Sequence, residues 1–161
     1  MTISAGDAVP QVDLTTMTDD GPSPISVDDI FKGKKVVVFG LPGAFTPTCS
    51  AKHLPGYIAN ADAIKAKGVD TIACLSVNDA FVMGAWGNDQ GAGDKVLMLA
   101  DGSAKFSTAA GLELDLIERG MGMRCQRFAM IVDDGVVSSI HVEGPGAFDV
   151  SSAEAIMGVL S

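Results

Sequence analysis

Two short, unbroken apolar runs separated by a helix-length stretch constrain this chain more than any other feature. Val36-Val37-Val38-Phe39-Gly40-Leu41 follows Lys34-Lys35, and Thr71-Ile72-Ala73-Cys74-Leu75-Ser76-Val77 comes later. Continuous runs of this length read as strands buried on both faces, since a half-exposed strand would alternate. The chain between them, from Pro47 to Lys67, reads as helix, with Gly68 placed where a left-handed residue ends one. Pro55 inside it predicts a kink that makes the first turns easier to unwind. Strand, helix, strand is a βαβ unit, so the strands are expected as parallel neighbours with a right-handed crossover.

The remaining pattern extends this unit. Asp79 to Trp86 reads as a helix with Phe81, Met83 and Trp86 as core residues, and Val96 to Ala100 as another buried strand. Phe128 to Val132, then Asp133-Asp134-Gly135, then Val136 to Val142 predicts a hairpin. Ser151-Ser152-Ala153-Glu154 matches a capping box opening a last helix. With 161 residues there is enough chain for one domain with a real core. The expectation is an α/β domain over residues 1–161, a mixed central sheet with helices on both faces, of thioredoxin-like type. Such a layout serves many chemistries, so function has to come from a site.

Charge and composition remove several classes. A net charge of −9 disfavours nucleic acid and anionic membrane surfaces, which both need clustered cations. No apolar run reaches the ~18 residues of a membrane span. Met1 to Asp7 has neither a basic nor an apolar leader region, so a cytoplasmic location is expected. Cys49, Cys74 and Cys125 form no CxxC and no Cys/His metal spacing, and scattered thiols suit a reducing compartment. Gly33-Lys34-Lys35 and Gly91-Ala92-Gly93-Asp94-Lys95 do not complete a phosphate-binding loop.

One place carries chemistry: Leu41-Pro42-Gly43-Ala44-Phe45-Thr46-Pro47-Thr48-Cys49, where the first buried strand hands over to the helix. Thr46 is placed as N-cap and Pro47 at the first helical position, which puts Cys49 in the first turn. There the helix dipole favours a thiolate over a thiol. The N–H groups of Thr48 and Cys49 lack intrahelical partners and can donate to a charged or partly charged oxygen. The site opens at the C-terminal edge of parallel strands, where α/β proteins bind ligands.

Pro42, Thr46 and Cys49 fill a P-x-x-x-T-x-x-C pattern, and the string continues into Lys52-His53-Leu54-Pro55-Gly56. On these residues the chain resembles the peroxiredoxins, in particular the type II (type V) subfamily. The resemblance runs on through Ser76-Val77-Asn78-Asp79, Ala100-Asp101-Gly102, Gly111-Leu112-Glu113-Leu114-Asp115, Arg127-Phe128-Ala129-Met130 and Val150 to Glu154. It implies a thiol peroxidase acting on hydrogen peroxide and small organic hydroperoxides, with Cys49 becoming a sulfenic acid. It also implies that Arg127 supports the thiolate and the leaving oxygen, that Thr46 and the Thr48 and Cys49 amides hold the peroxide, and that Pro42 shields the sulfur. No metal or organic cofactor is implied. Glutathione with glutaredoxin, or thioredoxin, is implied as reductant, and a homodimer as assembly.

Several points stay open at this level. Cys74 matches the position of a second cysteine in plant and bacterial relatives. It stands three residues before Val77, ~10 Å below the sheet edge, whereas a disulfide needs Cα atoms within ~7 Å. Either local unfolding allows a Cys49–Cys74 bond, or an external thiol attacks the sulfenic acid directly. Cys125 shares a face with Arg127 if its segment is extended. Lys52 reads as solvated, His53 as a packing or subunit-contact residue, and Arg124 as either solvated or supporting the site. A thioredoxin-type reductase would need a second Cys at position 52, which is Lys. A Cys–His hydrolase has only His53 and His141 as bases. A peroxide-sensing redox relay would use the same thiolate and differ only in what receives the oxidation.

Overall fold

The structure, a computed structural model, describes residues 1–160. An N-terminal hairpin of β1 (Leu14–Thr18) and β2 (Gly21–Ile25) leads into α1 (Val27–Phe31). Ser26 and Asp29 cap α1 reciprocally, each side chain accepting from the other's backbone N–H at 3.0 and 3.2 Å. The βαβ unit follows: β3 (Lys35–Gly40), helical turns including α2 (Leu54–Ala59) and α3 (Ala61–Lys65), then β4 (Thr71–Ser76). Next come α4 (Ala80–Gln90), β5 (Leu97–Ala100) and α5 (Lys105–Ala109). A separate hairpin of β6 (Glu113–Leu116) and β7 (Gly122–Cys125) precedes β8 (Phe128–Asp133), β9 (Val136–Val142) and α6 (Ala153–Leu160).

The main sheet runs β2-β1-β5-β4-β3-β8-β9. β3, β4 and β5 are mutually parallel and their flanking strands antiparallel, so the sheet is mixed as expected. It separates two apolar cores, which explains the unbroken runs. Val37 and Phe39 of β3 face one core with Leu54, Tyr57, Trp86 and Ile156; Val36 and Val38 face the other with Ile30, Phe31, Phe106 and Phe128. Helices therefore cover both faces. No helix is long and apolar enough to cross a membrane among the described residues.

Some local expectations need correction. The helix between β3 and β4 is not continuous. It starts at Pro47, widens into a π turn over Cys49–His53, becomes α2, and breaks at Asn60 before α3. Pro55 supplies the reason for the widening: it has no N–H to continue the i→i−4 ladder, and its ring crowds the carbonyl of Ala51. The Leu54 N–H reaches back five residues to the Cys49 carbonyl instead. The break at Asn60 is stabilised by its own side-chain amide, which donates to the Gly56 carbonyl at 2.8 Å.

α4 runs on to Gln90, past Trp86, and Gly91 in the left-handed region ends it. Phe81, on its first turn, is 67% exposed rather than core, whereas Met83 and Trp86 are buried. The final helix starts one residue later than the capping box suggests. Ser152, not Ser151, accepts from the Ala155 N–H, and Ser151 is engaged elsewhere.

Candidate active site

The Cys49 turn sits where it does because β3 ends against β8. Gly40 closes β3 opposite Phe128, and any Cβ there would overlap the Phe128 ring. Arg127 immediately precedes Phe128, so the register of β3 on β8 delivers its side chain to the same sheet edge as the residues after Gly40. The loop leaving β3 is held by the Ala44 N–H, which donates to Asn78 Oδ1 at 3.0 Å. Phe45 takes φ +63°, a strained choice for a bulky side chain, and lies 55% exposed.

Thr46 precedes the first helical residue, and its carbonyl accepts from the Ser50 N–H at 3.0 Å. Its hydroxyl does not cap the helix, contrary to the sequence reading. It turns back along the loop and donates to the Gly43 carbonyl at 2.7 Å. Among the described residues, the N–H groups of Thr48 and Cys49 meet no acceptor. Trp86 Nε1–H donates to Ser50 Oγ at 3.0 Å and fixes the helix from below.

Cys49 has no solvent exposure, and Arg127 Nη2 donates to its Sγ at 3.2 Å. The other terminal nitrogen of Arg127 donates to His53 Nδ1 at 2.8 Å. Because a guanidinium has no acceptor, His53 Nδ1 must be unprotonated. Its Nε2 then carries the hydrogen and donates to the Ser151 carbonyl at 3.0 Å. Burial and then the adjacent Arg127 charge push the His53 pKa down to about 3, so the ring is neutral at ordinary pH. The guanidinium charge is thus spent on sulfur and on a neutral ring. Phe148 closes the group, 5.8 Å from the Arg127 guanidinium and 5.1 Å from the His53 ring.

The support extends outward from His53. Tyr57, stacked on Phe39 at 3.9 Å, donates its hydroxyl to the same Ser151 carbonyl at 2.8 Å. One oxygen of Glu143 accepts from the Asp149 N–H, the Ser151 N–H and the Ser151 hydroxyl at 2.6, 2.9 and 2.7 Å. Burial alone would raise the Glu143 pKa, but these hydrogen bonds outweigh it and hold the carboxyl below its ordinary value. His53, Ser151 and Glu143 were not read as site residues from the sequence. They lie 98 and 8 residues apart along the chain, and no local spacing signals such a network.

A cavity of about 210 Å³ lies against Arg127, lined also by Pro42, Thr48, Leu114, Pro145 and Ala147 among others; the fully buried Cys49 does not line it. Pro42, Thr48 and Arg127 thus share this cavity, and Arg127 joins it to Cys49 through its hydrogen bond to Sγ; Thr46 does not line it. Cys74 lies in the same core as Cys49 but in the middle of β4, paired with Phe39 and Met98. It is fully buried, and burial pushes its thiol well above the usual value. Cys125 is not on the active-site side. β7 ends at that residue, so strand alternation does not carry through to Arg127, and Cys125 falls in the opposite core. Burial raises its pKa to about 12. Lys52 is exposed as expected. His53 donates and accepts away from sulfur, which removes it as a base for Cys49.

The Redoxin family model matches residues 4–157. Peroxiredoxin-2B of Arabidopsis thaliana is 48% identical over 159 residues, 98% of each chain. Reduced Prx3 of Vibrio vulnificus, solved in complex with hydrogen peroxide, is 54% identical with a TM-score of 0.95, covering 99% of this chain and 100% of that one. Peroxiredoxin 5 of Alvinella pompejana superposes with a TM-score of 0.86 at 34% identity, over 98% and 97% of the two chains. The chain has the thioredoxin-like fold and belongs to the peroxiredoxins of type II/V, thiol peroxidases that reduce peroxides.

Proposed function

We propose that Cys49 is the peroxidatic residue and that Arg127, Thr46, Pro42 and the Thr48 and Cys49 amides serve it. The observation that carries this reading is the hydrogen bond from Arg127 Nη2 to Cys49 Sγ. A fixed cation donating to sulfur favours the form that bears negative charge. The thiolate attacks the near oxygen of the hydroperoxide, an S–O bond forms and the O–O bond breaks. The far oxygen departs with the proton of the near oxygen as water or an alcohol, leaving Cys49 as a sulfenate that takes a proton from solvent to become the sulfenic acid.

Charge grows on the departing oxygen, within reach of the Arg127 guanidinium and the free amides, which stabilise it more in the transition state than before. Because the Thr46 proton is already committed to the Gly43 carbonyl, its oxygen is free to accept from the peroxide O–H. Pro42 lines the cavity and limits water around the sulfur. Leu114, Pro145 and Ala147 give that cavity an apolar wall suited to a small alkyl group as well as to hydrogen peroxide. The step draws on protein groups alone, with neither metal nor organic cofactor.

An external thiol closes the cycle, glutathione with glutaredoxin or else thioredoxin. The full burial of Cys74 in β4 favours this over an internal disulfide. Residues 1–161 act as one domain, supported by the single main sheet that carries both cores. A homodimer fits the exposed Phe45, Phe81, Ile117 and Met123. Free, buried cysteines suit the cytoplasm. The test is peroxide consumption by wild type and Cys49→Ser with each reductant system. Cys49→Ser should be inactive, and its full activity would overturn the assignment.

A further inference from the structure

We propose that Arg124 is a positioning residue for peroxide reduction, acting through Pro42 and Gly43 on the Thr46 hydroxyl. The proposal rests on the reading of Cys49 and Thr46 given above. Arg124 stands on β7 opposite Leu114, which lines the cavity against Arg127, so both side chains share the cavity-facing side of the hairpin. Its guanidinium is fixed at two points. Nε–H donates to the Met121 carbonyl at 2.8 Å, and Nη1–H donates to the Pro42 carbonyl at 3.2 Å. It thereby ties a hairpin outside the main sheet to the loop that leaves β3.

Gly43 makes this possible. A Cβ at residue 43 would stand 2.7 Å from Arg124 Nη1, closer than such atoms approach. The guanidinium therefore occupies the space that any other residue at 43 would fill. The Gly43 carbonyl is the acceptor for Thr46 Oγ1 at 2.7 Å and lies 3.4 Å from the Thr46 N–H. Arg124 sets Pro42 and Gly43, Gly43 sets the Thr46 hydroxyl, and the hydroxyl sets the peroxide. From the other side, the same loop is held by Asn78 through the Ala44 N–H. Orientation matters here because a displacement of ~1 Å at a reacting group costs up to ~10²-fold in rate.

Arg124 acts through geometry and not through its charge on sulfur, since Arg127 alone donates to Cys49. The experiment uses this distinction. Oxidation of Cys49 by hydrogen peroxide is followed in the full chain by the fluorescence of Trp86, the one tryptophan. The variants are Arg124→Met, Arg124→Lys, Gly43→Ala and the double variant Arg124→Met/Gly43→Ala. Arg124→Met should slow oxidation about tenfold, with the pH–rate profile keeping its wild-type shape. Lysine keeps the charge but loses the two-point fork, so it should be as slow as methionine.

Gly43→Ala sets a methyl against the flexible end of Arg124 and also 3.2 Å from Thr46 Cγ2, which relieves it by a shift of a few tenths of an ångström, so it should fold and be at least as slow as Arg124→Met. The double variant should be no slower than Gly43→Ala, because that methyl already displaces the Arg124 guanidinium and removing Arg124 then loses nothing further. Wild-type speed in Arg124→Met, rescue by lysine, a shifted pH profile, or defects that multiply in the double variant would each overturn the proposal. A wild-type protein that does not consume peroxide would instead overturn the reading of Cys49.

Discussion

His53 Nδ1 accepts from Arg127 Nη1 at 2.8 Å, and it can do so only while the imidazole is uncharged. The arrangement turns a histidine into a fixed acceptor that aims a cation at sulfur 3.2 Å from the other arm of the same guanidinium. Its neutrality follows from burial and from the Arg127 charge, the two effects that push its pKa to about 3.

Removing the Arg127 guanidinium or the Thr46 hydroxyl should have the largest effect short of removing the sulfur. Arg127→Gln and Thr46→Val are each expected to lower kcat/KM for hydrogen peroxide by ~10²-fold or more, the first as loss of a positioned donor at a developing charge and the second as loss of the acceptor that orients the peroxide. Steady-state consumption assays at fixed reductant measure it. Near wild-type rates in either variant would contradict the proposed roles.

His53→Leu should reduce kcat/KM by about tenfold, since the lost hydrogen bond involves a charged, buried group worth ~1.5–3 kcal/mol. His53→Gln, whose amide oxygen can accept from Arg127, should recover part of the loss. Equal activity for the leucine and glutamine variants would show that the ring only fills space.

Acid should destabilise the fold through the same histidine. His53 binds a proton more readily unfolded, near pH 6.5, than folded, near pH 3. Its contribution is therefore fully present above pH 6.5 and is lost as pH falls from there towards 3. The slope reaches ~1.4 kcal/mol per pH unit in that window. Guanidinium unfolding at several pH values should show a steeper acid loss for wild type than for His53→Gln. Parallel curves would refute the assignment. Glu143, whose pKa is lowered, adds an acid loss of the same sign that both proteins share.

Glu143→Ala should cost about 1–3 kcal/mol of stability by leaving the donors of Asp149 and Ser151 unpaired. It should also lower activity, because Ser151 anchors His53. Glu143→Gln keeps an acceptor and should be milder on both counts. An alanine variant as stable and active as wild type would show the network to be dispensable.

Peptide mapping after one equivalent of peroxide, under non-reducing conditions with glutathione present, should find Cys49 free or glutathionylated. A Cys49–Cys74 peptide as the main product would mean that the Cys49 turn unfolds within each cycle. That turn is already a π segment ahead of Pro55, so such opening has a structural route.

What the sequence determined by itself is the local grammar: two buried runs, the helix start at Pro47, Cys49 in its first turn, and the β8–β9 hairpin. Each follows from residues a few positions apart, through side-chain periodicity, a missing N–H at proline or a turn at Asp134-Gly135. The motif around Cys49 also carried the resemblance that pointed to Arg127. Tertiary structure alone decided which groups surround the sulfur. His53 meets Arg127 across 74 residues, and Arg124 meets Pro42 across 82. Whether Cys125 faced the thiol depended on where one short strand ended. Hydrogen bonds are directional and reach about 3 Å, so partners distant in the chain are fixed only when the sheet register brings them together.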